Sequence, residues 1–201
     1  NSKLIDYCEK ILNDLNIETF KVFDDEKKRV NLFGTLKAKK TNGKKPIILS
    51  GHTDVVPVSK GWSTDPFKAT IIDKKLYGRG SCDMKGFIAC TLAYAPILTQ
   101  SNLDRDFHFC YTFDEETACI GAPLLISELK KRNIKNGICI VGEPTEMKII
   151  DAHKGMNEYT TYFGGLAGHS SKPQEGVNAI EYASRYTVSY THLTLPTIYS
   201  V

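Results

Sequence analysis

The sequence predicts an α/β fold, a mostly parallel sheet with flanking helices, followed by the start of a second, α+β unit. Short, apolar, β-branched runs such as 46–50 (PIILS) and 137–141 (GICIV) are typical of strands buried on both faces. They alternate with stretches of helical length, as expected when helices connect parallel strands. From about Met156 the pattern changes to a strand, a loop and a helix, which indicates the second unit.

The first elements follow from local patterns. Apolar residues at helical spacing predict a helix over 4–15, with Ser2 as its N-cap. Two strand-like runs, 18–24 and 30–36, are separated by a charged turn. The lysine-rich segment 37–45 is interpreted as a solvated hairpin turn rather than a binding patch.

The remaining elements continue the alternation. Residues 84–99 predict a largely apolar helix that Pro96 should kink or end. Strand 106–113 and the amphipathic helix 118–131 precede the strand that ends at Val141. In the second unit, a strand over 157–165 and a helix over 177–186 flank the loop GHSSKPQEG.

Composition limits the functional classes. The 201 residues are 41% hydrophobic and 24% charged, with a net charge of +3 that is too small to argue for nucleic acid binding. We find no apolar run of the roughly 18 residues that a membrane span needs. Six cysteines without a C-x-x-C pair, including Cys90, Cys110 and Cys139 in apolar segments, favour reduced, buried thiols in a cytoplasmic protein.

Four motifs carry the functional signal, and three of them directly follow predicted strands. They are GHTDVV, GRGSCDMKG, TFDEET and VGEPTE, and their candidate ligands are His52, Asp83, Glu115, Glu116 and Glu143. Ligands of such folds collect beyond the carboxyl ends of the strands. Acids brought together at a buried edge repel one another, so a positive charge must hold them there. The pattern therefore predicts a two-metal hydrolase.

Structural interpretations of the same residues remain open. Asp83 could be the N-cap of the helix that follows, and Glu143 a surface turn residue. The acids 114–116 could be solvated turn charges. His108 is expected to pack in or near the core, and His153 could lie at a site wall or a strand end. Nucleotide binding by the glycine-rich motif is disfavoured, since it lacks the lysine and hydroxyl of a phosphate loop.

From about residue 4 to residue 186, these motifs, together with GWSTDPF, AHKG and GHSSKPQEGVNAIEY, resemble the M20 family of metallopeptidases. The resemblance implies a zinc-exopeptidase-like catalytic domain with two Zn²⁺ ions, for which Co²⁺ could substitute. His52 and Glu143 would bind one zinc, Asp83 would bridge, and Glu116 would bind the second.

The resemblance also implies catalytic roles. Glu115 would be the general base, and Asp54 would support His52. His169 would stabilise the oxyanion from a lid or dimerisation domain, in a protein expected to be a homodimer. The expected substrate is a small acylated amino acid, N2-acetyl-L-ornithine in arginine biosynthesis, with neither nucleic acid nor membrane as partner. The alternatives are a succinyl-diaminopimelate desuccinylase, another M20 carboxypeptidase or aminoacylase, and a truncated, non-catalytic metal-binding fragment.

The resemblance to this family also predicts the domain organisation. Residues 1–155 would be a catalytic domain without its returning C-terminal segment, which carries the family's last histidine ligand. Residues 156–186 would begin the lid or dimerisation domain. Residues 187–201 contain no Asp, Glu, Lys or Arg and are expected to be a non-native tail. His192 does not match the missing ligand, and we expect little or no activity from these 201 residues alone.

Overall fold

The protein is represented by a computed structural model that describes residues 1–41, 43–134, 136–155 and 159–194. The chain divides into two compact units, residues 1–149 and 150–201. The first unit contains a five-stranded sheet, a small two-stranded sheet and three helices. Among the described residues, none of the helices has both the length and the apolar character needed to cross a membrane.

The elements of the first unit are, in chain order, α1 (Ser2–Asp14), β1 (Glu18–Phe23), β2 (Val30–Leu36), β3 (Ile47–His52), β4 (Thr70–Ile72), β5 (Lys75–Tyr77), α2 (Lys85–Gln100), β6 (Phe107–Thr112), α3 (Gly121–Lys131) and β7 (Ile138–Val141). The predicted helices and strands of this unit are therefore present, with ends shifted by a few residues. The short hairpin of β4 and β5 was not predicted.

The main sheet has the strand order β1-β2-β6-β3-β7. Strand β3 lies between β6 and β7 and is parallel to both, whereas β2 is antiparallel to β1 and to β6. Four strands thus run in one direction and β2 runs in the other, which confirms the mostly parallel α/β fold. We call the edge where β3, β6 and β7 end the carboxyl edge of the sheet.

The predicted hairpin at 37–45 is wrong. Strands β2 and β3, which this segment connects, do not pair with each other, because β6 lies between them. The segment is a connection that passes β6 at one end of the sheet. The lysines and the glycine of this segment indicate a solvated loop. They do not indicate that β6, which comes later in the chain, lies between β2 and β3.

The two faces of the sheet are covered by helices. On one face, α1 and α2 contribute Ile5, Leu12 and Ile88 to a cluster with Phe109 and Tyr111 of β6. On the other face, Leu125 of α3 packs with Phe33 and Cys110. The alternation of side chains along a strand explains this division, since residues 109 and 111 face one way and residue 110 faces the other.

Two details of the helices differ from the prediction. Asn1, rather than Ser2, is the N-cap of α1. Helix α2 continues through Pro96 to Gln100. A proline inside a helix removes one backbone hydrogen bond, but Ala95 beside it is fully buried, and this packing holds the helix against the sheet.

Strand β7 was predicted to be buried, and this prediction is wrong. It is the edge strand, and Ile138 and Val141 are 51% and 55% exposed. Among the described residues it pairs only with β3. Its composition is that of a central strand, so only the pairing reveals its place in the sheet.

The thiols also differ in part from the prediction. All six cysteines are free, as predicted, but burial holds only for Cys8 and Cys110. Cys90 and Cys139 are exposed because they lie on the outer side of α2 and on the edge strand.

The described part of the second unit contains a short 3-10 helix (Pro173–Glu175) and one α-helix, α4 (Ala179–Thr194). Helix α4 begins within the predicted range and continues into the segment expected to be a tail. The predicted strand over 157–165 is not formed at 159–165, which pair with no other described segment; residues 157 and 158 lie outside the described part. A single antiparallel bridge joins Leu166 to Val177. Residues 195–201 of the predicted tail also lie outside the described part, and the domain boundaries stay a prediction.

Candidate metal centre

The parallel strands bring the predicted ligands to the carboxyl edge of the sheet. His52 is the last residue of β3, Glu115 and Glu116 follow β6, and Glu143 follows β7. Asp83 comes from the connection that leads into α2. Because the three strands end at the same edge, residues far apart in the sequence become neighbours.

His52 is the centre of this cluster and is only 2% exposed. Its Nε2 atom lies 3.1 Å from Oδ1 of Asp83. The same nitrogen is 3.7 Å from Oε2 of Glu115 and 3.7 Å from Oε1 of Glu143. One imidazole nitrogen therefore faces three carboxylates that come from separate parts of the chain.

The donor atoms form two groups that could each hold a metal ion. One group is His52, Asp83 and Glu143, and the other is His52, Glu115 and Glu116, with the ligand atoms of each group within 4.8 Å of one another. Imidazole nitrogen and carboxylate oxygen are suitable ligands for Zn²⁺ and similar divalent ions. The residues present therefore fit a divalent metal, and His52 belongs to both groups.

The other nitrogen of His52 is held by the main chain of Asp54 rather than by its carboxylate. Nδ1 lies 3.0 Å from the backbone oxygen of Asp54 and 3.6 Å from its carboxylate. The Asp54 carboxylate instead accepts hydrogen bonds from the backbone N–H groups of Glu115, at 3.2 Å, and Glu116, at 3.0 Å. Asp54 thus orients the imidazole through its main chain and fixes the two glutamates through its side chain.

The cluster has an excess of negative charge, and this changes its proton affinities. Burial alone would lower the pKa of His52, but the hydrogen bond to Asp83 and the charges of Glu115 and Glu143 raise it above its usual value. Burial, reinforced by repulsion from Asp83, also raises the pKa of Glu116 and of Glu143. Both shifts have the direction expected where negative charges crowd together, and a bound cation would offset the same repulsion.

Asp114 is separated from the two glutamates that follow it. Its side chain is buried and accepts a hydrogen bond from Nη1 of Arg29 at 2.7 Å and another from the hydroxyl of Thr117. Arg29 precedes β2, whose amino end lies at the carboxyl edge because β2 runs against its neighbours. The sequence analysis missed Arg29, and the signal that could have found it is an arginine at the start of a strand antiparallel to the rest.

We expect Arg29→Met to lower the free energy of unfolding by roughly 2 kcal/mol, because it leaves a buried carboxylate without its cation. The other oxygen of Asp114, Oδ2, is buried and has no hydrogen-bond partner among the described residues. Urea unfolding followed by circular dichroism measures the change. Lys28→Met is the matched control, since Lys28 pairs with Glu26 at the surface and its loss should change stability by less than about 0.5 kcal/mol. Equal effects of the two variants would contradict a structural role for Arg29.

The structural alternatives for Asp83 and His108 can be compared with the positions of these two residues in the fold. Asp83 is not the N-cap of α2, because that position is Met84. His108 is buried, as predicted, and contacts Thr35 Oγ1 at 3.0 Å and the ring of Phe33.

The other histidines belong to the second unit. His153 is exposed, does not lie in a strand, and contacts its neighbour's backbone oxygen. His169 belongs to the second unit, where its Nδ1 lies 2.8 Å from the hydroxyl of Ser171. His192 lies in the last turns of α4.

A buried histidine ringed by carboxylates at the carboxyl edge of a mostly parallel sheet defines an α/β protein with a candidate divalent-metal centre. The model of peptidase family M20/M25/M40 matches residues 48–198, and the chain belongs to this family.

Named relatives agree with this assignment. The chain is 37% identical over 183 residues to acetylornithine deacetylase from Pasteurella multocida (strain Pm70), an alignment that covers 90% of this chain and 46% of that protein. It is 40% identical over 153 residues to acetylornithine deacetylase from Pectobacterium carotovorum subsp. carotovorum (strain PC1), covering 76% and 39%. The chain thus spans less than half the length of these relatives.

Among solved structures, the fold is similar to that of a tripeptidase from Staphylococcus aureus subsp. aureus mu50. The TM-score is 0.62 at 18% sequence identity, and the match covers 92% of this chain and 49% of that one. At this identity the similarity concerns the fold alone.

Proposed function

We propose that this chain carries most of the metal centre of an amide hydrolase that removes the acetyl group from N2-acetyl-L-ornithine in cytoplasmic arginine biosynthesis. The observation that supports it most directly is the position of His52 Nε2, which lies within 3.7 Å of carboxylates from three separate segments. The similarity to acetylornithine deacetylases supports the choice of substrate.

In this proposal each acid has its own task. His52 and Glu143 would hold one zinc ion, Glu116 would hold the second, and Asp83 would be shared by both. Bound zinc would polarise the amide carbonyl and lower the pKa of water toward about 7. Glu115, whose carboxylate lies 3.7 Å from His52 Nε2 and is about half exposed, would be the base that accepts a proton from the attacking water.

Two further residues act on these groups. Asp54 keeps Nδ1 of His52 protonated by accepting its hydrogen bond at the backbone oxygen, so that Nε2 is free to bind metal. The carboxylate of Asp54 also fixes the positions of Glu115 and Glu116 by accepting hydrogen bonds from their backbone N–H groups. In a homodimer, His169 of one subunit would stabilise the oxyanion in the active site of its partner.

Substrate choice is tested by comparing acetylornithine with succinyl-diaminopimelate as substrates for the full-length protein. We expect acetylornithine to have the higher kcat/KM, because the named relatives are acetylornithine deacetylases. Release of ornithine is measured by amine derivatisation and chromatography. Faster turnover of the succinyl compound would replace the proposed substrate but keep the hydrolase class.

A second candidate function is a non-catalytic metal-binding fragment. It is favoured by the fact that, among the described residues, His52 belongs to both candidate groups, so a single imidazole serves two possible ions. Titration of the 201-residue protein with Co²⁺, followed by visible absorption and by an assay of amide hydrolysis, distinguishes the two functions. Two bound ions with amide hydrolysis support the enzyme, whereas at most one weakly bound ion without turnover supports the fragment. We expect little or no turnover from these 201 residues, and robust turnover would contradict that expectation.

A further inference from the structure

The first turn of α2 contacts two glycines, each of which directly precedes a candidate ligand. Asp83 lies just before this turn, Gly51 precedes His52, and Gly142 precedes Glu143. The apolar side chains of the turn therefore lie where three of the candidate ligands meet.

The contact at Gly142 is the closer one. A Cβ atom built on Gly142 would lie 1.9 Å from Cγ of Phe87 and 2.3 Å from Cδ1 and Cδ2. Carbon atoms in ordinary contact are about 3.5–4.0 Å apart. The face of the Phe87 ring thus lies directly against the main chain of Gly142, whose N–H donates to the backbone oxygen of Ser50 at 3.1 Å.

The contact at Gly51 is similar but less severe. A Cβ atom there would lie 2.9 Å from Cε of Met84 and 3.2 Å from Cγ1 of Ile88. Met84 is fully buried, so its side chain has little space into which to move. The turn therefore packs at the same time against the ends of β3 and β7.

We propose that Phe87 is a positioning residue that sets where Glu143 lies relative to His52 and Asp83. The ring bears on the peptide that carries Glu143, and it belongs to the helix that begins just after Asp83. Metal sites require their ligands to be held within about 0.5 Å of the productive geometry. A methyl group on residue 142, placed 1.9 Å from Cγ of Phe87, must open the contact by about 1.6–2.1 Å to reach ordinary separation, which exceeds that tolerance. The inference rests on the proposed function in so far as the bound ligand is a metal.

The test uses Gly142→Ala, Phe87→Ala and the double variant of the 201-residue protein, each titrated with Co²⁺. We expect Gly142→Ala to weaken binding by about 10- to 100-fold, the range found when the support of a metal ligand is lost. Phe87→Ala alone should also weaken binding, because it removes the ring that bears on the Gly142 peptide. The double variant should bind more tightly than Gly142→Ala, since the space left by the ring accommodates the methyl group. The visible spectrum of bound Co²⁺ should change in Gly142→Ala and return toward that of the unaltered protein in the double variant.

Gly137→Ala is the matched control at the other end of the same strand. A Cβ atom on Gly137 would lie 2.5 Å from the backbone oxygen of Pro46, so this variant is also crowded, but far from the carboxyl edge. It should lower the unfolding temperature without changing the Co²⁺ affinity or spectrum. Unchanged affinity in Gly142→Ala, or a double variant as weak as Gly142→Ala, would overturn the proposal.

A second measurement separates this inference from the proposed function. If the unaltered protein binds no Co²⁺, the proposed metal centre is wrong, but the contact can still be examined without metal. Hydrogen exchange of the residue 142 amide, corrected for its intrinsic rate, should be faster in Gly142→Ala and slower again in the double variant. Equal rates in all the proteins would overturn the positioning role by itself.

Discussion

The His52→Asn variant is expected to bind Zn²⁺ or Co²⁺ more than about 100-fold more weakly than the unaltered protein, a greater loss than outer-shell partners cause. His52 belongs to both groups of candidate ligands, so its loss removes one ligand from each. Asparagine keeps a polar side chain at a site that is only 2% exposed, which limits the structural damage. Isothermal titration with each metal, after treatment with a chelator, measures the affinity.

His108→Asn provides the matched control for this experiment. His108 is also buried and also lies in a strand of the main sheet, but its ring contacts Thr35 and Phe33 rather than the carboxylate cluster. We expect the metal affinity of the His108→Asn variant to match that of the unaltered protein within about threefold, because substitutions at distant sites act independently. A strong loss of affinity in both variants would indicate that unfolding, not ligand removal, is responsible.

Much of the candidate site could be predicted because strand ends are visible in a sequence. PIILS and GICIV are apolar runs that are followed, after one glycine, by His52 and Glu143, and parallel strands bring such ends together. Strand order was not visible in the same way. The insertion of β6 between β2 and β3 and the edge position of β7 depend on pairing between distant segments, for which a local pattern carries no signal.

Contacts made by the backbone were equally hidden. That Asp54 would bind the amides of Glu115 and Glu116 could not be read from an H-x-D pattern, which indicates only a carboxylate near an imidazole. The separation of Asp114 from Glu115 and Glu116 also depends on backbone conformation and on a distant partner, neither of which a local pattern reveals. Its φ of 67° and its pairing with Arg29 turn one of three consecutive acids into a structural residue.

Metal-free protein should show opposite pH dependences of stability for its two buried histidines. The pKa of His52 is raised in the fold by Asp83, Glu115 and Glu143, which outweigh burial. The folded state therefore holds this proton more tightly than the unfolded state. The stability that His52 contributes is fully present below the ordinary pKa of about 6.5 and is lost as the pH rises through the higher, folded value.

The pKa of His108 is instead lowered by burial, which outweighs the charge of Asp106. Its protonation is disfavoured in the fold, so stability is lost as the pH falls below about 6.5. Urea unfolding with a chelator at pH values from about 5 to 9 tests both signs, with each histidine replaced by Asn in turn. The difference in unfolding free energy between the unaltered protein and His52→Asn should decrease with rising pH, and the difference for His108→Asn should increase. Parallel slopes for the two variants would show that the carboxylate cluster does not hold a proton on His52, and with it the electrostatic case for a cation at this position would be lost.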